Sequence, residues 1–158
     1  MDLRSLPIKN FDLVANFYAS IGNDLVNQNI QELYNAAGSG GKVNKVSGLL
    51  DMAWHGEGTS NWVPRIIDGD NNNYQVSNFF VEDGSYMRLK VLQIGYSLPG
   101  QMLQRVGIKG LRFFVQGENL FTITNYSGYD PEVGTRDGFD GGTYPQARTY
   151  TIGANITF

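Results

Sequence analysis

The final segment of the chain, residues 148–158, alternates without exception. Tyr150, Ile152, Ala154, Ile156 and Phe158 take one parity, while Thr149, Thr151, Gly153, Asn155 and Thr157 take the other. Successive side chains of a strand point to opposite faces, so this segment reads as a strand with one wholly apolar side and one small, polar side. Two environments satisfy such a strand. Its apolar side packs on a second layer, as in a soluble sandwich, or it meets hydrocarbon, as in a membrane barrel whose strands need about ten residues to cross.

Three earlier segments carry the same period. In 111–124, Leu111, Phe113 and Val115 oppose Arg112, Phe114 and Gln116, and the phase blurs from Gly117 onward, where Glu118 and Asn119 point to a bulge. In 85–98, Leu92, Ile94, Tyr96 and Leu98 oppose Val91, Gln93, Gly95 and Ser97. Arg88 and Lys90 fall on the apolar parity of that strand, which predicts that it leaves hydrocarbon there, since a cation at mid-membrane costs about 2–4 kcal/mol. In 11–22, Phe11, Leu13, Ala15, Phe17, Ala19 and Ile21 oppose Asp12, Asn16 and Ser20. The expected fold is all-β, with four long antiparallel strands over about 11–22, 85–98, 111–124 and 148–158, longer than the usual 5–6 residues.

The connections are unequal. Residues 99–110 form a tight link with one expected helical turn at 101–105, whereas 23–84 and 125–147 are long loops. Within the first loop, 25–34 and 46–54 carry a weak helical pattern. A connection near sixty residues is rare in a compact soluble domain, but outer-membrane barrels combine long outer loops with short inner turns. Four strands cannot close a barrel, because the smallest such barrels have about 8 strands, so the sheet is expected to be part of a larger wall.

Composition removes most chemistry. With 0 Cys and 1 His among 158 residues, thiol catalysis, disulfide scaffolds and multi-histidine metal centres are excluded. A net charge of −3 argues against nucleic acid as a partner. His55 beside Glu57 lacks the further ligands a metal needs, and Asp68, Asp70 and Asn72 begin a calcium-loop spacing that fails at Asn73 and Phe79. Pairing Glu57 with Asp51, or Glu118 with Asp130, would give a hydrolase dyad whose separation nothing in the sequence fixes. No catalytic residue, cofactor or metal is expected. The opening MDLRSLPIKN has no secretory signal pattern, and no run approaches the roughly 18 apolar residues of a spanning helix.

Several words of the sequence resemble a known family. FVEDGSYMRLKVLQIGYSLP (80–99), GENLFTITNYSGYDPEVG (117–134) and GTYPQARTYTIGANITF (142–158) resemble the C-terminal end of SusC/RagA-type TonB-linked outer-membrane transporters. KNFDLVANFYASIGNDLVN (9–27) and WHGEGTSNWVPR (54–65) resemble an earlier strand and the loop after it. Residues 9–158 fall within the resemblance; residues 1–8 depart from it and are expected to lie outside the homologous part. The resemblance implies a share of a barrel of about 22 strands enclosing a plug. It also implies an outer-membrane location and import of oligosaccharides, peptides or similar bulky nutrients. The implied partners are the rest of the barrel and its plug, a SusD-like lipoprotein, TonB through an N-terminal part absent from this sequence, the barrel-assembly machinery and outer-membrane lipid.

Roles for residues follow from that frame. Tyr150, Ile152, Ile156 and Phe158 resemble the terminal signal read by barrel-assembly machinery, which would dock by strand addition. Arg112, Gln116, Glu118 and Asn155, on the polar parity, are expected to face a lumen, where they contact one another, the plug or substrate. Trp54, Trp62, Tyr126, Tyr129 and Tyr144 lie in the long loops and suit either loop packing or contact with ligand or lipoprotein. The rival reading is a soluble all-β carbohydrate-binding module, which would bury the apolar parity in its own core.

Overall fold

A computed structural model describes residues 2–3, 9–35, 44–69, 72–75, 77–104, 107–132 and 137–158. The chain divides into two compact units. One comprises Met1–Ile21, Ser85–Asn125 and Gln146–Phe158; the other comprises Gly22–Gly84 and Tyr126–Pro145.

The first unit is a single antiparallel sheet. Its strands are β1 (Asp2–Leu3), β2 (Phe11–Ser20), β5 (Tyr86–Ser97), β6 (Gly110–Glu118), β7 (Thr122–Thr124) and β9 (Thr149–Thr157). The order is β1-β2-β5-β6-β9, with β7 continuing beyond β6 along the side of β5. A short helix, α3 (Gly100–Leu103), occupies the tight link between β5 and β6. It covers the start of the helical turn expected over 101–105; Arg105 lies outside the described residues.

Register turns the sequence alternation into rows. Leu13 pairs with Ile94, Ile94 with Val115, and Val115 with Ile152, an apolar row across four strands. The neighbouring row runs Phe11, Tyr96, Phe113, Ala154. On the opposite face Val14, Gln93, Gln116 and Thr151 are aligned, and so are Ser97, Arg112 and Asn155. The apolar rows have no covering layer of their own: Ile152 is 82 %, Val115 54 % and Ile94 50 % exposed. A soluble module would bury these residues, so their exposure runs against the rival reading.

One expectation is corrected. Asn16 pairs with Val91 but Phe17 pairs with Leu89, so Lys90 is an extra residue in β5. A bulge of one residue reverses the parity of what lies beyond it. Met87 therefore sits opposite Ala19 and Ile123, with the apolar side chains, and Arg88 opposite Tyr18 and Thr122, with the polar ones. Arg88 does not break the apolar face; it is 3 % exposed and donates from Nε to Thr122 Oγ1 at 2.8 Å. The break expected after Gly117 is present: Asn119 adopts φ 52° between β6 and β7.

The second unit is built from the long connections. Here β3 (Asp24–Asn27) pairs antiparallel with β4 (Val81–Asp83) and parallel with β8 (Phe139–Asp140). The helices are α1 (Gln28–Tyr34) and α2 (Leu49–Met52). The helical pattern over 25–34 therefore fails at its first three residues. Leu25, Val26 and Asn27 are strand, and the helix begins only where the Asn27 side chain accepts the Ile30 N–H as its N-cap. Leu49, Ala53 and Val63 form a small apolar core with Tyr34, Val46, Met52 and Ile66 packed on it.

Candidate functional site

The polar face of the sheet carries an unbroken chain of side-chain hydrogen bonds. Arg112 Nε donates to Asp12 Oδ1 at 2.9 Å and Arg112 Nη2 to Asp12 Oδ2 at 2.5 Å, a two-pronged ion pair between β6 and β2. Arg112 Nη2 also donates to Gln93 Oε1 at 2.8 Å. Gln93 Nε2 then donates to Gln116 Oε1, and Gln116 Nε2 to Glu118 Oε1, both at 2.7 Å. Arg112 and Asp12 flank β5, so their pair must cross that strand's backbone. Gly95 makes the crossing possible, because a Cβ there would sit 2.3 Å from Arg112 Nη2 and 2.4 Å from Asp12 Oδ1. Gly153 plays the same part for Phe114, whose ring would meet a Cβ at 2.5 Å.

Of the residues expected in a lumen, the structure joins Arg112, Gln116 and Glu118 into this chain. It places Asn155 beside Arg112 in register. Asp12 and Gln93 complete the set. Their polar parity was visible in the sequence, but their partners are not neighbours in the chain, and only the register brings them together. On the other face, Tyr150, Ile152 and Ile156 project from β9, the last strand of the sheet, Phe158 follows its end, and each of the four is at least half exposed.

The second unit holds the loop aromatics. Trp62 is 48 % exposed and stands edge-on to Tyr34 at 4.7 Å. Together with Tyr129, Ile30, Leu33 and Asn29, these rings line an open hollow of about 390 Å³. Tyr144 is almost fully exposed. Tyr126 is different, for it is buried and its hydroxyl donates to the buried Asp140 carboxylate at 2.7 Å. Burial, and then the bond to Asp140, pushes its phenol far above the ordinary tyrosine range. Tyr126 is thus packed among its own neighbours. Gly128 is shaped by the same ring, since a Cβ there would lie 2.4 Å from Tyr126 Cε1.

A polar knot centred on buried Asn27 organises these loops. Asn27, 1 % exposed, donates from Nδ2 to Glu82 Oε1 at 2.9 Å and to Ser127 Oγ at 3.2 Å. Glu82 in turn accepts from the Ser127 N–H at 2.9 Å. Nothing in the local sequence announced Asn27, Glu82 or Asp140, which are ordinary loop residues until the chain folds.

His55 Nδ1 lies 2.8 Å from the Ala53 carbonyl, and Trp54 lies under the Arg65 guanidinium at 4.5 Å. Among the described residues no group of His, Asp and Glu is arranged to hold a metal, and Asp70 lies outside them. No helix among them is long and apolar enough to cross a membrane, which says nothing of crossing by strands.

Comparison with known proteins gives the geometry a context. No family model matches the chain. It is 37 % identical to TonB-dependent receptor P3 of Formosa agariphila over 97 % of its own length and 15 % of that protein. It is 26 % identical to TonB-dependent receptor SusC of Bacteroides thetaiotaomicron over 97 % of its own length and 14 % of that protein. The chain thus spans about 15 % of the length of these relatives. Among solved structures, the RagAB peptide importer in its closed-closed state aligns with a TM-score of 0.80 at 30 % identity, covering 95 % of this chain and 16 % of that one. The open-open state of the same importer aligns equally well, at 29 % identity.

Proposed function

We propose that this chain, which by sequence and fold is a segment of a TonB-dependent receptor of the SusC and RagA kind, forms one stretch of the wall of an outer-membrane transporter. The observation that carries this reading is the pairing of faces on one sheet. Four consecutive strands present Leu13, Ile94, Val115 and Ile152 outward without cover, and the reverse side carries the bonded chain from Asp12 to Glu118. Hydrocarbon is the natural partner of the first face and a polar lumen that of the second.

The whole protein would take up bulky nutrients, oligosaccharides or peptides among them, working with a SusD-like lipoprotein at the outer surface and with TonB from inside. The loop aromatics Trp62, Tyr129 and Tyr144 would contact ligand or lipoprotein. Residues Tyr150 to Phe158 would be read by the assembly machinery, with β9 joining the strand that continues the wall. Support for these points comes from the kinds of protein the chain resembles and from the exposure of the residues named.

Membrane assembly of paired charge substitutions tests the wall. Ile152→Arg places a cation on the apolar face and should reduce assembly sharply, at about 2–4 kcal/mol if the position lies near mid-membrane. Thr151→Arg, one residue away on the polar face, should assemble at close to the unmodified level. Equal tolerance of both substitutions would contradict the assignment of faces.

A further inference from the structure

The segment from Ala53 to Ile66 builds a second site that the wall does not need. Ala53 and Val63 form a parallel bridge, and the Trp54 N–H donates to the Val63 carbonyl at 2.9 Å. This closes the intervening loop at its base and sets residues 53–55 beside 63–66. The Arg65 guanidinium carbon lies over the Trp54 ring, 4.5 Å from its centre. Stacking on Trp fixes an arginine's plane while leaving its N–H edges free. Among the described residues Arg65 forms no ion pair, with Asp51, Glu57 and Asp68 all near it in sequence. His55 uses one ring nitrogen locally, as Nδ1 sits 2.8 Å from the Ala53 carbonyl. A carbonyl only accepts, so Nδ1 carries the proton and holds the ring beside the hollow, where His55 reports on an occupant without itself bonding it. These groups border an open hollow of about 330 Å³ whose remaining lining is Leu50, Ala53 and Ile66.

We infer that this hollow is a binding site for a carboxylate carried on an organic molecule. A held, unpaired guanidinium edge matches the two oxygens of a planar carboxylate better than it matches a tetrahedral oxyanion. The apolar lining suits the carbon skeleton that bears the carboxylate. The site lies within the second unit and stands whether or not the sheet of the first unit faces lipid.

The chain's one histidine makes the test direct, because His55 contributes the only imidazole signals. The full chain, ¹⁵N-labelled at histidine and held in detergent micelles, is titrated with acetyl-Leu-Glu, with its doubly amidated twin and with inorganic phosphate. Saturable shifts of the His55 resonances with the acidic dipeptide alone are the expected result. Arg65→Gln should weaken that binding at least tenfold, and Arg65→Lys, which keeps the charge and loses the fork, should weaken it by an intermediate amount. An unchanged circular dichroism spectrum establishes that both variants are folded; should Arg65→Gln fail that check, Arg65→Lys decides. Equal binding of the amidated twin, phosphate binding as tightly as the dipeptide, or unweakened binding by the folded variants would each overturn the inference.

Discussion

Single residues decide whether the two faces can coexist. Gly95 is small because the Asp12–Arg112 pair lies across it. Gly95→Ala forces those side chains apart and should lower stability by about 1–3 kcal/mol, the usual range for overpacking, seen as a lower melting temperature in detergent. The same sequence position reads merely as a small residue on the polar parity, and its reason appears only when the register brings Asp12 and Arg112 to either side. Tyr126 is a second case. Tyr126→Phe leaves the buried Asp140 Oδ2 without its donor and should cost about 1–3 kcal/mol. A raised phenol also makes a pH prediction. The unfolded tyrosine ionises near its ordinary value of about 10 while the folded one stays protonated, so stability from Tyr126 is complete below that pH and is lost as pH rises above it. Alkaline unfolding of the Tyr126→Phe variant, followed by circular dichroism, should therefore fall less steeply above that pH than in the unmodified chain.

At the scale of elements, parity was legible and register was not. Each long strand follows from period-2 alternation, because the backbone dictates it wherever one face is apolar. The bulge at Lys90 has no such signature: Arg88, Met87 and Tyr86 alternate as well on one phase as on the other, and only the pairing of Phe17 with Leu89 fixes the choice. Likewise β3 is too short to show a period, and its Leu25 and Val26 fit a helical stripe until β4 and β8 pair with them. The bulge makes a sharp prediction. Deleting Lys90 removes the extra residue, leaves Val91 opposite Asn16 and Leu89 opposite Phe17, and keeps Arg88 on the polar side, so assembly into the membrane should survive, as it should for Lys90→Ala, which keeps the residue count. Heat-modifiable mobility on gels reads both outcomes, and loss of assembly in the deletion alone would refute the bulge.

For the molecule as a whole, the central claim is that an uncovered apolar face on a four-strand stretch is a wall against lipid. The fold class was readable from the strands, and so was the presence of long loops. What those loops build was not, since the knot joins Asn27 to Glu82, 55 positions on, and to Ser127, 100 positions on. The absence of native cysteine allows the claim to be measured residue by residue. Single cysteines at Leu13, Ile94, Val115 and Ile152, and at Val14, Gln93, Gln116 and Thr151, are labelled with an environment-sensitive dye in the membrane-assembled protein. Quenching by nitroxide lipids should be strong for the first four and weak for the second four, with a water-soluble quencher showing the reverse wherever it gains entry. Equal lipid quenching of both sets, or none of either, would contradict the account.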